Sequence, residues 1–178
     1  GVEHRTGVAA TGLLARSTET RVRLSDGSQI RARLAVAADG RNSTLRRAAG
    51  MEVSTARYAQ KALAFAVTHA APHDNVSTEV HRSGGPFTLV PLPDRDGLPC
   101  SAVVWMEHGP EAERLLALDP ERFSAAATER SAGVQGPLTL TGGRTIWPII
   151  SQVAQSLTTE RLALVAEAAH VVPPIGAQ

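Results

Sequence analysis

An α+β fold is what this sequence predicts, and three observations predict it. Apolar residues recur at every second position through much of the chain, between clusters rich in Gly, Pro and Asp, as in antiparallel strands joined by tight turns. Two stretches, Glu111 to Leu118 and Pro120 to Ser131, space their apolar residues as helices do. Two short, continuously apolar runs, Leu34 to Ala38 and Leu162 to Ala166, each lead into an acidic residue and lie about 125 residues apart, as buried parallel strands would on either side of an inserted domain.

Taken in order, Val8 to Ala15 reads as a first strand. Val22 and Leu24 alternate with Arg21 and Arg23, Ser25-Asp26-Gly27-Ser28 supplies a turn, and Gln29 to Arg33 returns as the second arm of a hairpin. Leu34 to Ala38 lacks alternation, so both of its faces should be covered. It stops at Asp39-Gly40, after which Ser43 caps a short helix from Thr44 to Ala49 and Gly50 ends it in the left-handed conformation. From about Val53 the runs lengthen: Lys61 to His69, Val76 to Arg82, Phe87 to Leu92 and Cys100 to Glu107. Ala71-Pro72-His73-Asp74, Ser83-Gly84-Gly85-Pro86 and Pro93-Asp94-Arg95-Asp96-Gly97 separate them, in the manner of an antiparallel meander. The two helical stretches follow, with Asp119 as N-cap and Pro120 at the first helical position, and should pack on one sheet face. Arg144 to Ile150 and Gln152 to Leu157 read as further strands before the apolar run that precedes Glu167-Ala168-Ala169-His170.

With 178 residues, 43% of them apolar, the chain can bury a real core. A net charge of +1 without a basic block gives no field to hold a phosphate backbone, so nucleic acid is not an expected partner. A lone cysteine, Cys100, excludes an internal disulfide framework and fits a reducing, cytoplasmic compartment. No stretch approaches the ~18 to 20 apolar residues of a membrane helix. The opening at Gly1 and the closing Pro173-Pro174-Ile175-Gly176-Ala177-Gln178 read as interior sequence of a longer protein.

A carboxylate directly after a buried parallel strand stands at the strand's carboxyl end, where open α/β sheets place their ligands. Asp39 and Glu167 both have this position. If their strands share a sheet, the two acids face one crevice and suit the hydroxyls of a ribose or ribityl chain, because a carboxylate offers several lone pairs and no competing donor. The plainer alternative is that Asp39 shapes its turn with Gly40 and Glu167 is a solvated loop residue. His69 and His73 have metal-ligand spacing for a helix, but Pro72 and the strand pattern argue against one and a third ligand is missing, so no metal site is expected. Ser43 lacks the G-x-S-x-G setting of an esterase nucleophile, and Cys100 reads as core. Trp105, Trp147 and Phe87 read as packing, with a substrate pocket as the alternative. No residue is assigned as catalytic.

Val36-Ala37-Ala38-Asp39-Gly40-Arg41-Asn42-Ser43-Thr44-Leu45-Arg46 resembles the D-G-x-x-S-x-x-R motif of the FAD-dependent aromatic hydroxylases, the flavoprotein monooxygenases related to para-hydroxybenzoate hydroxylase. Leu164 to Gln178 is similar to the second flavin motif of that class, G-D-A-A-H followed by a P-x-x-G loop. Gly85-Pro86-Phe87-Thr88-Leu89-Val90-Pro91-Leu92, with the regions around Tyr58, Gln60 and Pro72-His73, is similar to the ubiquinone-biosynthesis branch, whose members hydroxylate polyprenyl phenols. The resemblance implies a partial, glutathione-reductase-like FAD-binding domain at both ends, residues 1–53 and 158–178, around a mainly antiparallel substrate domain, residues 54–157. It also implies a mechanism in which NAD(P)H reduces FAD, the flavin captures oxygen as a C4a-hydroperoxide, and a phenol ring attacks the distal oxygen. Asp39 and Gly40 would lie by the ribityl and pyrophosphate region, and Arg46 would hold this segment and meet the nicotinamide cofactor's phosphates. Glu167 and Ala168 would take the ribityl side. His170 would support the loop of Pro173, Pro174 and Gly176 against the isoalloxazine ring, and the strands between Lys61 and Glu107 would roof that ring. A small aromatic substrate, a polyprenyl phenol by the narrower resemblance, and association with the face of the inner membrane follow from the same likeness.

Two departures from the family pattern stand out. Its usual Gly-Asp pair reads Ala166-Glu167 here, and the extra methylene moves the carboxylate by roughly 1.5 Å. The G-x-G-x-x-G loop that receives a diphosphate at a helix N-terminus does not occur, so the chain by itself should bind FAD poorly and be inactive. The competing expectation is a non-catalytic β-sheet module that binds an apolar ligand or a protein partner.

Overall fold

Strand pairing begins where the sequence alternates around a turn. In the computed structural model, which describes residues 1–174, β1 (Ala10–Ala15), β2 (Thr20–Leu24) and β3 (Gln29–Ala32) form a three-stranded antiparallel sheet. At the β2–β3 turn the Leu24 amide donates to Ser28 O, Asp26 Oδ1 accepts from the Ser28 amide, and Gly27 takes φ +84°. Contacts divide the chain into two units, the first Gly1–Ala56 with Ile150–Val172 and the second Arg57–Ile149 with Pro173 and Pro174.

In the first unit, β4 (Ala35–Ala37) leads to α1 (Thr44–Ala48), and β11 (Thr158–Thr159) turns into β12 (Leu162–Leu164). β12 runs parallel to β4 with Leu162 beside Ala35 and Leu164 beside Ala37, and antiparallel to β11. A 3-10 turn over Ala166–Ala168 then leads to β13 (His170–Val171), which pairs with Gln152 and Val153. Ala35, Ala37, Leu45, Leu162, Leu164 and Ala168 make the core. The continuous apolar run predicted a strand covered on both faces, and the structure differs. Ala35 and Ala37 are buried, whereas Leu34 and Val36 are each 55% exposed, because no element among the described residues lies over that second face.

The second unit is built on a sheet in which β8 (Leu98–His108) lies between β7 (Gly85–Arg95) and β5 (Val53–Thr68), with β6 (Thr78–Arg82) beyond β7. β9 (Thr139–Leu140) and β10 (Thr145–Ala154) join it along β5. Alternation decides the two faces. Leu63, Phe65, Val67, Phe87, Leu89, Val103 and Trp105 pack against Ala112 and Leu115 of α2 (Gly109–Leu116) and Phe123 and Ala127 of α3 (Pro120–Arg130). Phe65 meets Phe123 edge-on with ring centroids 4.8 Å apart. The opposite face carries small residues in register, Ala62 beside Met106, Ala64 beside Val104 and Ala66 beside Ala102.

Three local departures from the sequence expectation have local causes. β5 starts at Val53 rather than Lys61, since its first half is polar and exposed and is held by backbone pairing instead of a buried face. β7 and β8 run on to a two-residue turn at Asp96-Gly97, both with positive φ, where a longer loop was expected. β10 passes through Ser151 without a break.

Candidate functional site

Asp39 follows β4 and Glu167 follows β12, and these strands are parallel neighbours. The Val165 amide donates to Ala37 O at 2.9 Å, so pairing continues to the point where both chains leave the sheet. The two acids therefore stand at one carboxyl edge.

Asp39 is held by its own helix. Its Oδ1 accepts from the Ser43 hydroxyl, and its Oδ2 accepts from the amides of Thr44 at 2.8 Å and Leu45 at 3.1 Å. Burial alone would raise its pKa, but these hydrogen bonds outweigh it and hold the carboxyl below the ordinary aspartate value. A carboxylate oxygen has two lone pairs, so Oδ2 is saturated and Oδ1 keeps one position for an outside donor. Ser43 caps α1 by accepting from the Arg46 amide at 3.0 Å. Gly40 has φ +81°, and no atom lies within 4 Å of where its Cβ would stand, so it shapes the turn and leaves open space beside Asp39.

Arg46 brings the two motifs together. It is 4% exposed, and its guanidinium donates to Ala168 O at 2.8 Å and Arg41 O at 2.7 Å. One side chain thus ties the loop after β4 to the turn after β12, 122 residues away. Both of these bonds go to backbone carbonyls inside the unit.

Glu167 is exposed and has no partner among the described residues. Ala168 is fully buried, and His170 is exposed with its backbone paired to Val153. Pro173 and Pro174 are half-buried, while Gly176 lies outside the described residues. The pair Ala166-Glu167 has a backbone meaning that the sequence concealed. Ala166 takes φ +51°, a left-handed conformation that glycine adopts freely and alanine does not. The family's glycine at this position carries the same backbone signal in the sequence.

The remaining sequence candidates resolve as structural. All four ring nitrogens of His69 and His73 are engaged: His69 with Ala71 O and Ser101 Oγ, His73 with Leu92 O and the Asn75 amide. Cys100 is buried. Arg161, which no motif or periodicity marks in the sequence, donates its guanidinium to the carbonyls of Arg16, Ser17 and Arg33, tying β12 to the neighbouring loops. No helix among the described residues is long and apolar enough to cross a membrane.

Comparison with known proteins bears on this geometry. A family model described as FAD binding domain matches residues 2–178. The ubiquinone hydroxylase UbiL of Rhodospirillum rubrum is 37% identical over 155 residues, which cover 87% of this chain and 35% of that protein. The ubiquinone biosynthesis monooxygenase COQ6 of Mus musculus is 28% identical over 192 residues, covering 88% and 39%. Among solved structures, the flavin-dependent monooxygenase PieE in complex with FAD and substrate superposes with a TM-score of 0.69 at 18% identity, over 94% of this chain and 30% of that one. The structural likeness shows the fold, and the chain spans little more than a third of the length of these curated relatives.

Proposed function

This chain belongs to the FAD binding domain family, matched over residues 2–178, and from that premise we propose that it is part of a flavin monooxygenase that hydroxylates a phenolic ring in ubiquinone biosynthesis. Residues 1–53 and 158–178 would contribute to the FAD domain and residues 54–157 would form the substrate domain. The observation that carries the reading is the Arg46 tie between the two motifs, which sets Asp39 and Glu167 at the carboxyl edge of adjacent parallel strands.

The donor set suits a flavin. Asp39 has one free acceptor position and Glu167 has a free carboxylate, which fits hydroxyls of a polyol chain, and Gly40 leaves room for its approach. FAD, when bound and reduced by NAD(P)H, would supply the oxygen chemistry. The protein's own share is to bind, orient and exclude water. Asp39 and Glu167 would accept hydroxyl hydrogens, Arg46 would fix the distance between their loops, and His170 would support the segment of Pro173 and Pro174. On the face of the second unit's sheet away from the helices, the half-buried Ala64, Ala66, Ala102 and Val104 would offer apolar contacts to an aromatic ring. The names of UbiL and COQ6 favour a polyprenyl phenol as the substrate, and a tail of that kind would bring the enzyme to the face of a membrane.

The test is to purify the longer protein that contains this chain and record its visible spectrum. Flavin absorbance, and a Tm raised by added FAD, are expected. A colourless protein that FAD does not stabilise would overturn the reading. The 178-residue chain alone is expected to show no NAD(P)H oxidation.

A further inference from the structure

The outward face of the sheet formed by β1, β2 and β3 carries a charge that the flavin reading does not use. Ala10, Leu13 and Val22 pack inward on the core of the first unit, so the residues that alternate with them point away from it. The register says which these are: Leu14 stands beside Arg21 and Arg21 beside Arg31, while Gly12 stands beside Arg23 and Arg23 beside Gln29. Three arginines share one face, and the three strands contain no acidic residue. The chain's net charge of +1 conceals this excess, because alternation spreads the arginines along the strands and no run of basic residues forms.

Two features of the face point to an anion outside the chain. Arg21 and Arg31 stand directly opposite each other on adjacent strands, an arrangement of like charges that destabilises a sheet. Glu19 offsets part of this: its carboxylate accepts from Arg21 Nε at 2.6 Å and also lies in the field of Arg31 and Arg16, which holds it below the ordinary glutamate pKa. Arg23 and Arg31 are exposed, and neither has an ion pair among the described residues. The Arg23 guanidinium lies against Gly12, where a Cβ would stand 3.0 Å from its Nε and Nη2.

Leu14 decides the kind of anion. It is 48% exposed beside Arg21, and a basin of about 350 Å³ whose walls include Leu14, Arg21, Arg23 and Gln29 brings an apolar side chain and cationic donors together. A nucleic-acid backbone or a free phosphate would satisfy the arginines and leave Leu14 in water. An anionic bilayer satisfies both, since its headgroup phosphates border the acyl chains.

We propose that this outward face docks on an anionic phospholipid surface, with Arg21, Arg23 and Arg31 at the headgroup phosphates and Leu14 at the acyl boundary. The choice of a membrane rests in part on the reading above, in which the substrate carries a polyprenyl tail.

The test uses the longer protein that contains this chain, sedimented with vesicles of phosphatidylcholine holding about one-third phosphatidylglycerol. Binding is expected to these vesicles and not to phosphatidylcholine alone, with release at about 1 M NaCl, where the Debye length falls to about 3 Å. Arg23→Gln should weaken binding about fivefold, and Arg23→Gln with Arg31→Gln about 25-fold. Leu14→Ser should weaken it about fivefold. Arg31→Gln removes the opposed charge, so its Tm without vesicles should be no lower than that of the wild type; should it be lower, Arg23→Gln alone decides. No binding to the anionic vesicles, equal binding to phosphatidylcholine, unchanged binding in Arg23→Gln or in Leu14→Ser, or a DNA duplex bound as tightly as the vesicles would each overturn the proposal. Flavin absorbance of the same preparation reports the cofactor reading separately: a yellow protein that ignores the vesicles overturns only the docking face, and a colourless one that binds them overturns only the flavin reading.

Discussion

Replacing Arg46 by methionine keeps an unbranched apolar stem as far as the Nε position and removes both hydrogen bonds that join the motifs. Hydrogen bonds from a charged donor contribute about 1.5–3 kcal/mol each. Ala168 is fully buried, so its carbonyl would be left without a substitute partner and the larger figure applies there. Arg41 is only half-buried, and water can replace most of that bond. Relief of burying a guanidinium works in the other direction. The net expectation is a loss of about 2–4 kcal/mol, confined to the first unit, which corresponds to roughly 30- to 800-fold in the opening equilibrium. Both tryptophans lie in the second unit, so their fluorescence is the wrong probe; amide hydrogen exchange at Leu164 and Val165, whose N–H groups donate to Leu157 O and Ala37 O, reads the first unit directly. Arg46→Lys, which can reach one carbonyl but not both, should fall between. A loss below about 1 kcal/mol in Arg46→Met, or an equal loss of protection at Val103 in the second unit, would refute the reasoning.

Ala166→Gly should raise the stability of the first unit by about 0.5–1 kcal/mol, because relief of the left-handed strain exceeds the added entropy of the unfolded chain; a lower melting temperature would contradict this. Gly85→Ala should cost at least about 2 kcal/mol, since φ is +132° and the new Cβ would stand 2.9 Å from Met106 Cβ, which is fixed to the backbone. Gly27→Ala, with φ +84° but open space around it, should cost only about 1 kcal/mol, and urea titrations of the two variants should separate strain from crowding. The folded-state pKa of Asp39 lies below its unfolded value, so its contribution is fully present above about pH 4 and disappears as pH falls through the folded value. Asp39→Asn should therefore be less stable than the wild type at pH 7, and the two should converge in acid; a constant difference down to pH 2 would remove the carboxylate from the account.

Much of the fold was legible because its signals are local. The hairpin around Asp26-Gly27, the Ser43 and Asp119 caps and the two amphipathic helices each follow from residues within a few positions of one another. The polar first half of β5 was not legible, because its strand conformation comes from a neighbour and not from its own pattern. At the site, the position of Asp39 at a strand end could be read, but not the saturation of its Oδ2 by α1, which depends on how the turn through Gly40 is aimed.

The sequence by itself determined the longer strands and the helices, the two acid-bearing turns and the family, since these rest on short-range periodicity and on motifs of contiguous residues, whereas the two-residue strands Thr139–Leu140, Thr158–Thr159 and His170–Val171 have no pattern of their own. Tertiary structure alone decided that Arg46 donates to the carbonyls of Ala168 and Arg41 and that Ala166 takes a left-handed conformation. Each of those depends on contacts between residues far apart in the chain, where a hydrogen bond or a clash is fixed by distances of a few tenths of an ångström that no pattern of letters encodes.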